Sequence, residues 1–185
     1  MEGPPTQSGS GGAAGLVPPS PLRALAAAVD AASGLTARIT VLVAIVTTVL
    51  MFTSMILQII FRYVLSAPLS WSEEAAVFLF IWTMLLLASV GVRERFHVRL
   101  DLMFILLPEG RARASLEGAI TVVIAVFGAS MVMTGAQMAE LVWNNTSAAI
   151  RYPVQLLYLS VPVAGGLMVV HAIAQLLNQI AGRRP

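Results

Sequence analysis

Residues 61–101 read FRYVLSAPLSWSEEAAVFLFIWTMLLLASVGVRERFHVRLD. Charge gathers at both ends of this stretch and is absent from its middle. Arg62, Glu73 and Glu74 mark one end; Arg93, Glu94, Arg95, His97, Arg99 and Asp101 mark the other. The run from Ala75 to Val92 carries no charged residue. A helix rises about 1.5 Å per residue, so this run with its polar flanks crosses a hydrocarbon core of about 30 Å. The two charged rims then lie on opposite sides of a membrane, and the chain is organised around that crossing.

Three further runs suit the same reading. Before the quoted stretch, Ile39 to Phe61 is uncharged and is bounded by Arg38 and Arg62. After it, a third span runs over about 116–143, with Arg113 placed to pair with Glu117 and with Gln137 and Glu140 near its end. A loop over 144–153 leads to a fourth span at about 154–177, in which Pro162, Gly165 and Gly166 are expected to bend the helix. Between the second and third spans, Phe96, Leu100, Met103, Phe104 and Leu107 recur at helical spacing, with Arg95, His97 and Arg99 off that face. That segment is too short to cross, and it predicts an in-plane amphipathic helix over about 94–107, ended by Pro108-Glu109-Gly110. The expected fold is all-α: an integral membrane protein of four transmembrane helices plus this short in-plane cytoplasmic helix.

The N-terminal region divides in two. Residues 1–20 are rich in Gly, Pro and Ser and predict a disordered cytoplasmic tail. Residues 21–33 predict an Ala-rich helix, either lying in the membrane surface or opening a longer first helix, with Gly34 as the candidate separator. Residues 182–185 close the chain.

Composition supports the membrane class. The chain is 58% hydrophobic and 11% charged, where a soluble domain carries roughly a quarter charged residues. A net charge of +2 argues against nucleic acid as a partner. Cysteine is absent, which excludes disulfides, thiol redox chemistry and thiolate metal sites. All basic residues are Arg. With four spans, Arg23, Arg38, Arg93, Arg95, Arg99, Arg111, Arg113, Arg183 and Arg184 share one side, and only Arg62 and Arg151 lie on the other. The positive-inside rule puts both termini in the cytoplasm. Tyr63, Trp71, Trp143 and Tyr152 then gather at the outer interface, where amphipathic rings are favoured.

The middles of the spans hold no Asp, Glu or Arg, the groups with which a protein moving ions usually marks its midplane. His171 is the ionisable residue well inside a span, and a packed or hydrogen-bonded role is its ordinary reading. A b-type haem would need a second ligand, and His97 is poorly placed for it. Small residues line one face of the third span (Thr121, Ala125, Gly128, Ala129, Val132, Gly135, Ala136, Ala139), for close packing against a helix of this chain or of another subunit. Trp82 sits mid-span and is a candidate for an intersubunit contact, with a core tryptophan as the equal alternative.

Both rims also have a plain reading as membrane anchors. Ser70-Trp71-Ser72-Glu73 fits a capping box at the start of the second span, and Arg62 is close enough in sequence to pair with Glu73 or Glu74 across the turn. Arg93, Arg95 and Arg99 would attract anionic lipid.

Taken together the rims resemble a known pattern. Arg62-Tyr63, then Pro68-Leu69-Ser70-Trp71-Ser72-Glu73-Glu74, then Arg93-Glu94-Arg95, His97, Arg99 and Asp101, with Pro153 before the last span, resemble the DctQ-like small membrane subunit of tripartite ATP-independent periplasmic (TRAP) transporters. The likeness covers roughly residues 39–178. It implies a non-catalytic subunit that braces a large membrane subunit and helps dock a periplasmic solute-binding protein for ion-coupled uptake of an organic acid. It implies a multi-pass protein of the bacterial inner membrane with no cofactor of its own. The coupling ion, expected to be sodium, would bind the large subunit. Arg62, Trp71, Glu73 and Glu74 would shape the periplasmic docking surface. Trp82, Arg93, Glu94, Arg95, His97, Arg99 and Asp101 would face the partner subunit or membrane lipid. The rival reading is a haem- or quinone-linked membrane anchor of a respiratory enzyme; a small exporter acting alone is a third.

Overall fold

The computed structural model describes residues 21–94 and 111–181, with 111–114 described by backbone alone. The expected tail, the in-plane helix beyond Glu94, and Arg95, His97, Arg99 and Asp101 lie outside the described residues, as do 182–185. The described chain is helical: α1 Pro21–Tyr63, α2 Ser70–Arg93, α3 Arg111–Leu141, a short α4 Gln155–Tyr158, and α5 Ser160–Ile180. Among the described residues four stretches are long and apolar enough to cross a membrane: α1, α2, Ser115–Leu141, and Gln155–Ile180.

The 21–33 segment is the opening of α1. Gly34 does not break it, and the helix runs unbroken for 43 residues, about 65 Å at 1.5 Å per residue. The reason for a glycine at 34 lies on the next helix. A Cβ there would come 3.1 Å from Nη2 of Arg93, so the missing side chain makes room for a guanidinium.

The core is made mostly of small residues, with Leu86, Val90, Val92 and Met168 among them. Ala26, Ser33, Ala37, Thr40, Ala44 and Ser54 are buried on α1, and Ala164, Ala172 and Ala174 on α5. Among the described residues the largest fully buried side chain is His171. In lipid, helices are held together by close packing and interhelical hydrogen bonds, and small side chains permit both. Helix α5 is the centre: it packs against α1, α2 and α3. The small-residue face of α3 turns to α5 within this chain. A Cβ on Gly165 would lie 2.6 Å from the Gly128 carbonyl oxygen, and one on Gly135 would lie 2.6 Å from Cδ of Pro162.

Helix α1 meets α2 through hydroxyls. Ser33, Thr40, Thr47 and Ser54 recur every seven residues, the spacing that keeps one face of a helix on its neighbour. Thr47 and Thr83 share a hydrogen bond of 2.7 Å, and the Ser54 hydroxyl donates to the Ser72 carbonyl at 2.8 Å. These bonds fix the register. Ser54 lies level with the start of α2 and Ser33 level with its end, so Met55–Tyr63 continues past α2 by about two and a half turns at 3.6 residues each.

Pro162 interrupts the last crossing. It has no N–H to give the Tyr158 carbonyl, and its ring crowds that carbonyl. The chain turns at Leu159, one residue past α4, before α5 begins.

Candidate functional site

The chemistry of the described chain sits at the two ends of the bundle. At the end where α2 stops, three helices meet on Arg93. Its Nη1 donates to Ser33 Oγ at 2.6 Å and lies 3.4 Å from both the backbone oxygen and Oδ1 of Asp30. Ser33 Oγ lies 2.7 Å from Nδ1 of His171. An arginine can only donate, so Ser33 accepts from it and its own proton goes to Nδ1. The imidazole proton then sits on Nε2, a buried atom with no hydrogen-bond partner among the described residues. The Arg93–Asp30 pair is long and partly exposed, with side chains 25% and 44% accessible, and pairs of that kind contribute about 0–1 kcal/mol. The buried Ser33 and His171 bonds therefore carry the joint. Gln175 completes it: its Nε2 donates to the Val92 carbonyl at 2.5 Å and approaches that of Arg93 at 3.4 Å. These are among the carbonyls that a helix end leaves without partners.

Helix α2 starts differently from the sequence expectation. Its N-cap is Leu69, with no side-chain hydrogen bond to the cap. Ser70 is thus already inside the helix, one position too far along to form the capping box with Glu73. The Ser72 hydroxyl bonds back to the Leu69 carbonyl instead, at 2.8 Å. Among the described residues Arg62 makes no ion pair with Glu73 or Glu74. The register explains this: Arg62 rides on the part of α1 that has already passed the start of α2.

Glu74 is used elsewhere. Its Oε2 accepts the backbone N–H groups of Ala149, at 3.0 Å, and Ile150, at 2.8 Å. These sit at the tip of a loop closed by Ser147 N–H to the Tyr152 carbonyl (3.0 Å) and Val154 N–H to the Asn145 carbonyl (2.9 Å). Arg151 turns the loop with a left-handed backbone, φ 59°. An aromatic column backs the loop. Tyr152 meets Phe78 edge-on at 5.1 Å between ring centres, and Phe78 lies 6.3 Å from Trp82. Partial burial raises the Tyr152 phenol pKa, and the Glu74 carboxylate adds to the effect. Trp82 is half-buried and its Nε1 donates to the Leu156 carbonyl at 3.2 Å. Arg62, Trp71 and Glu73 are exposed.

The two rims are therefore real clusters, but their partners come largely from residues to which the sequence reading gave no part in the rims. Asp30, Ser33, Gly34 and Gln175 join Arg93, and the 145–154 loop joins Glu74. The seven-residue hydroxyl repeat on α1 was the readable signal for the first group.

An apolar four-crossing bundle with polar joints at its ends defines a membrane-embedded helical subunit. Residues 51–182 match the family of tripartite ATP-independent periplasmic transporters, DctQ component, and the chain belongs to that family. It is a small membrane subunit of the TRAP transporter class and not a respiratory anchor. Among similar proteins, the isethionate TRAP transporter permease protein DctMQ of Oleidesulfovibrio alaskensis is 30% identical over 117 residues, 62% of this chain and 18% of that protein. The sialic acid TRAP transporter permease protein SiaT of Haemophilus influenzae is 45% identical over 58 residues, 31% of this chain and 9% of that protein. The C4-dicarboxylate TRAP transporter small permease protein DctQ of Vibrio cholerae is 35% identical over 51 residues, 28% of this chain and 22% of that protein. The chain thus matches less than a quarter of the length of each of these relatives.

Proposed function

We propose that this subunit is a non-catalytic brace. It holds a large transport subunit in the inner membrane and presents a periplasmic surface on which a solute-binding protein docks, so that an organic acid enters coupled to an ion. The observation that carries this reading is where the polar chemistry goes. Arg93, Ser33, His171, Gln175 and Glu74 are engaged in tying helix ends and one loop together. Broad apolar faces of α1 and α3 stay uncovered; Leu42 is 63% exposed and Val123 67%. Such faces suit lipid and neighbouring helices. The relatives' names carry isethionate, sialic acid and C4-dicarboxylate, each an organic acid, which supports that substrate class.

In this reading the substrate and the coupling ion, sodium in our expectation, bind the large subunit. The arginine bias supports cytoplasmic termini. The docking surface is then Arg62, Trp71 and Glu73 together with the loop that Glu74 holds. Arg93, Glu94, Arg95, His97, Arg99 and Asp101 form the cytoplasmic rim against partner and lipid, and Trp82 lies along the partner side. The test is affinity purification of the chain from its native membrane in mild detergent. A large polytopic membrane protein recovered in stoichiometric amount is the expected result. Recovery with soluble redox subunits, or alone, would refute the proposal.

A further inference from the structure

The joint at Arg93 leaves half of that guanidinium unused. Nη1 makes the contacts to Asp30 and Ser33, while Nη2 and Nε have no hydrogen-bond partner among the described residues. The missing Cβ of Gly34 keeps the space beside Nη2 open. That space opens into a groove of about 660 Å³ between α1 and α2.

Its lining changes character along its length. Asp30, Gly34, Leu35, Ala37 and Arg38 follow one another along α1 beside Arg93 and Glu94 at the end of α2, and Val41 and Val90 continue the lining toward the middle of the two helices. Arg38 is exposed and makes no ion pair among the described residues. Both arginines sit where an apolar run stops. Arg38 immediately precedes Ile39, and Arg93 immediately follows Val92. The polar end of the groove is therefore at the depth of lipid headgroups, and the apolar part lies at the depth of acyl chains.

The charges balance. Two guanidiniums and two carboxylates line the same groove, which suits a ligand that carries an anion and a cation together and disfavours one that carries only negative charge. We propose that this groove binds one phospholipid with a zwitterionic, amine-bearing headgroup. Its phosphate lies against Arg38 and the free edge of Arg93, its ammonium faces Asp30 and Glu94, and one acyl chain follows Val41 and Val90. The site goes beyond the bracing role and requires no partner subunit.

The test is native mass spectrometry of the full chain, delipidated in detergent and supplied separately with phosphatidylethanolamine, phosphatidylglycerol or free phosphoethanolamine. One phosphatidylethanolamine should be retained in preference to phosphatidylglycerol. The R38Q variant should lose that adduct, while R62Q, at the other end of the bundle, should keep it. Equal retention of the two lipids, preference for phosphatidylglycerol, or an adduct untouched by R38Q would leave only non-selective boundary lipid and overturn the site. Free phosphoethanolamine binding as well as the lipid would also overturn it, by removing any role for the apolar groove. Because Arg38 is exposed, R38Q should melt with the parent chain; a matched melting curve ties a lost adduct to the site.

Discussion

Two adjacent glycines on α5 make opposite predictions. A Cβ on Gly165 would lie 2.6 Å from the Gly128 carbonyl oxygen, 2.8 Å from Met131 Cβ and 3.1 Å from the Val132 nitrogen. Two of these atoms are backbone and the third is fixed to it, so α3 and α5 would have to separate. Forcing a methyl into a packed contact costs about 1–3 kcal/mol. Among the described residues a Cβ on Gly166 meets nothing within 4 Å. Both substitutions to alanine gain the same helix propensity, about 0.8–1.0 kcal/mol. That gain cancels in the comparison, and G165A should be less stable than G166A by about 1–3 kcal/mol. G166A should equal or exceed the parent chain. The assay is reversible unfolding in mixed micelles of a mild detergent and dodecyl sulfate, followed by tryptophan fluorescence. Equal midpoints for G165A and G166A would show that α3 and α5 do not approach as closely as described, and the account of the bundle's core would fail.

Three other outcomes are expected. Alanine at Ser33 strands His171 Nδ1 and leaves Arg93 Nη1 only its long contacts to Asp30, so S33A should lower stability by about 1–3 kcal/mol in the same assay; a neutral result would deny the joint. Removing the Glu74 carboxylate frees the loop tip, so E74A should speed tryptic cleavage after Arg151, whereas E74Q, which keeps an acceptor oxygen, should fall between it and the parent; cleavage rates that do not differ would refute the clasp. W82F keeps the ring packing against Phe78 and loses the bond to Leu156, which should cost about 0.5–1.5 kcal/mol; if Trp82 served only an intersubunit contact, the isolated chain would not register the change.

The crossings were legible in the sequence because each is a long uncharged run, and burial in lipid demands little more than that. The ends of elements were less so. The S-x-x-E pattern at Ser70 is a local signal, and it yielded to a helix that begins one residue earlier. The Arg62–Glu73/Glu74 pair was inferred from closeness along the chain, but the hydroxyl bonds between α1 and α2 set a register that separates them in space. The partners of Arg93 were out of reach of local reading, since Ser33 and His171 are brought together by packing from opposite ends of the chain. Gly34 looked like punctuation; its role appears only once Arg93 lies across it. For the small-residue face of α3 two destinations were open, and the close approach at Gly128 and Gly165 selects α5.

The length of α1 has a mechanical consequence. A single helix carries Pro21 and Tyr63, and at about 65 Å it is roughly twice the thickness of the hydrocarbon it crosses. Fixed to α2 over its middle, it is a lever with an arm beyond each end of that contact. Its inner arm is packed, with Ala26 buried, and its outer arm, Met55–Tyr63, is largely exposed, so a push on the outer tip would reach the packed end with no loop in between to absorb it.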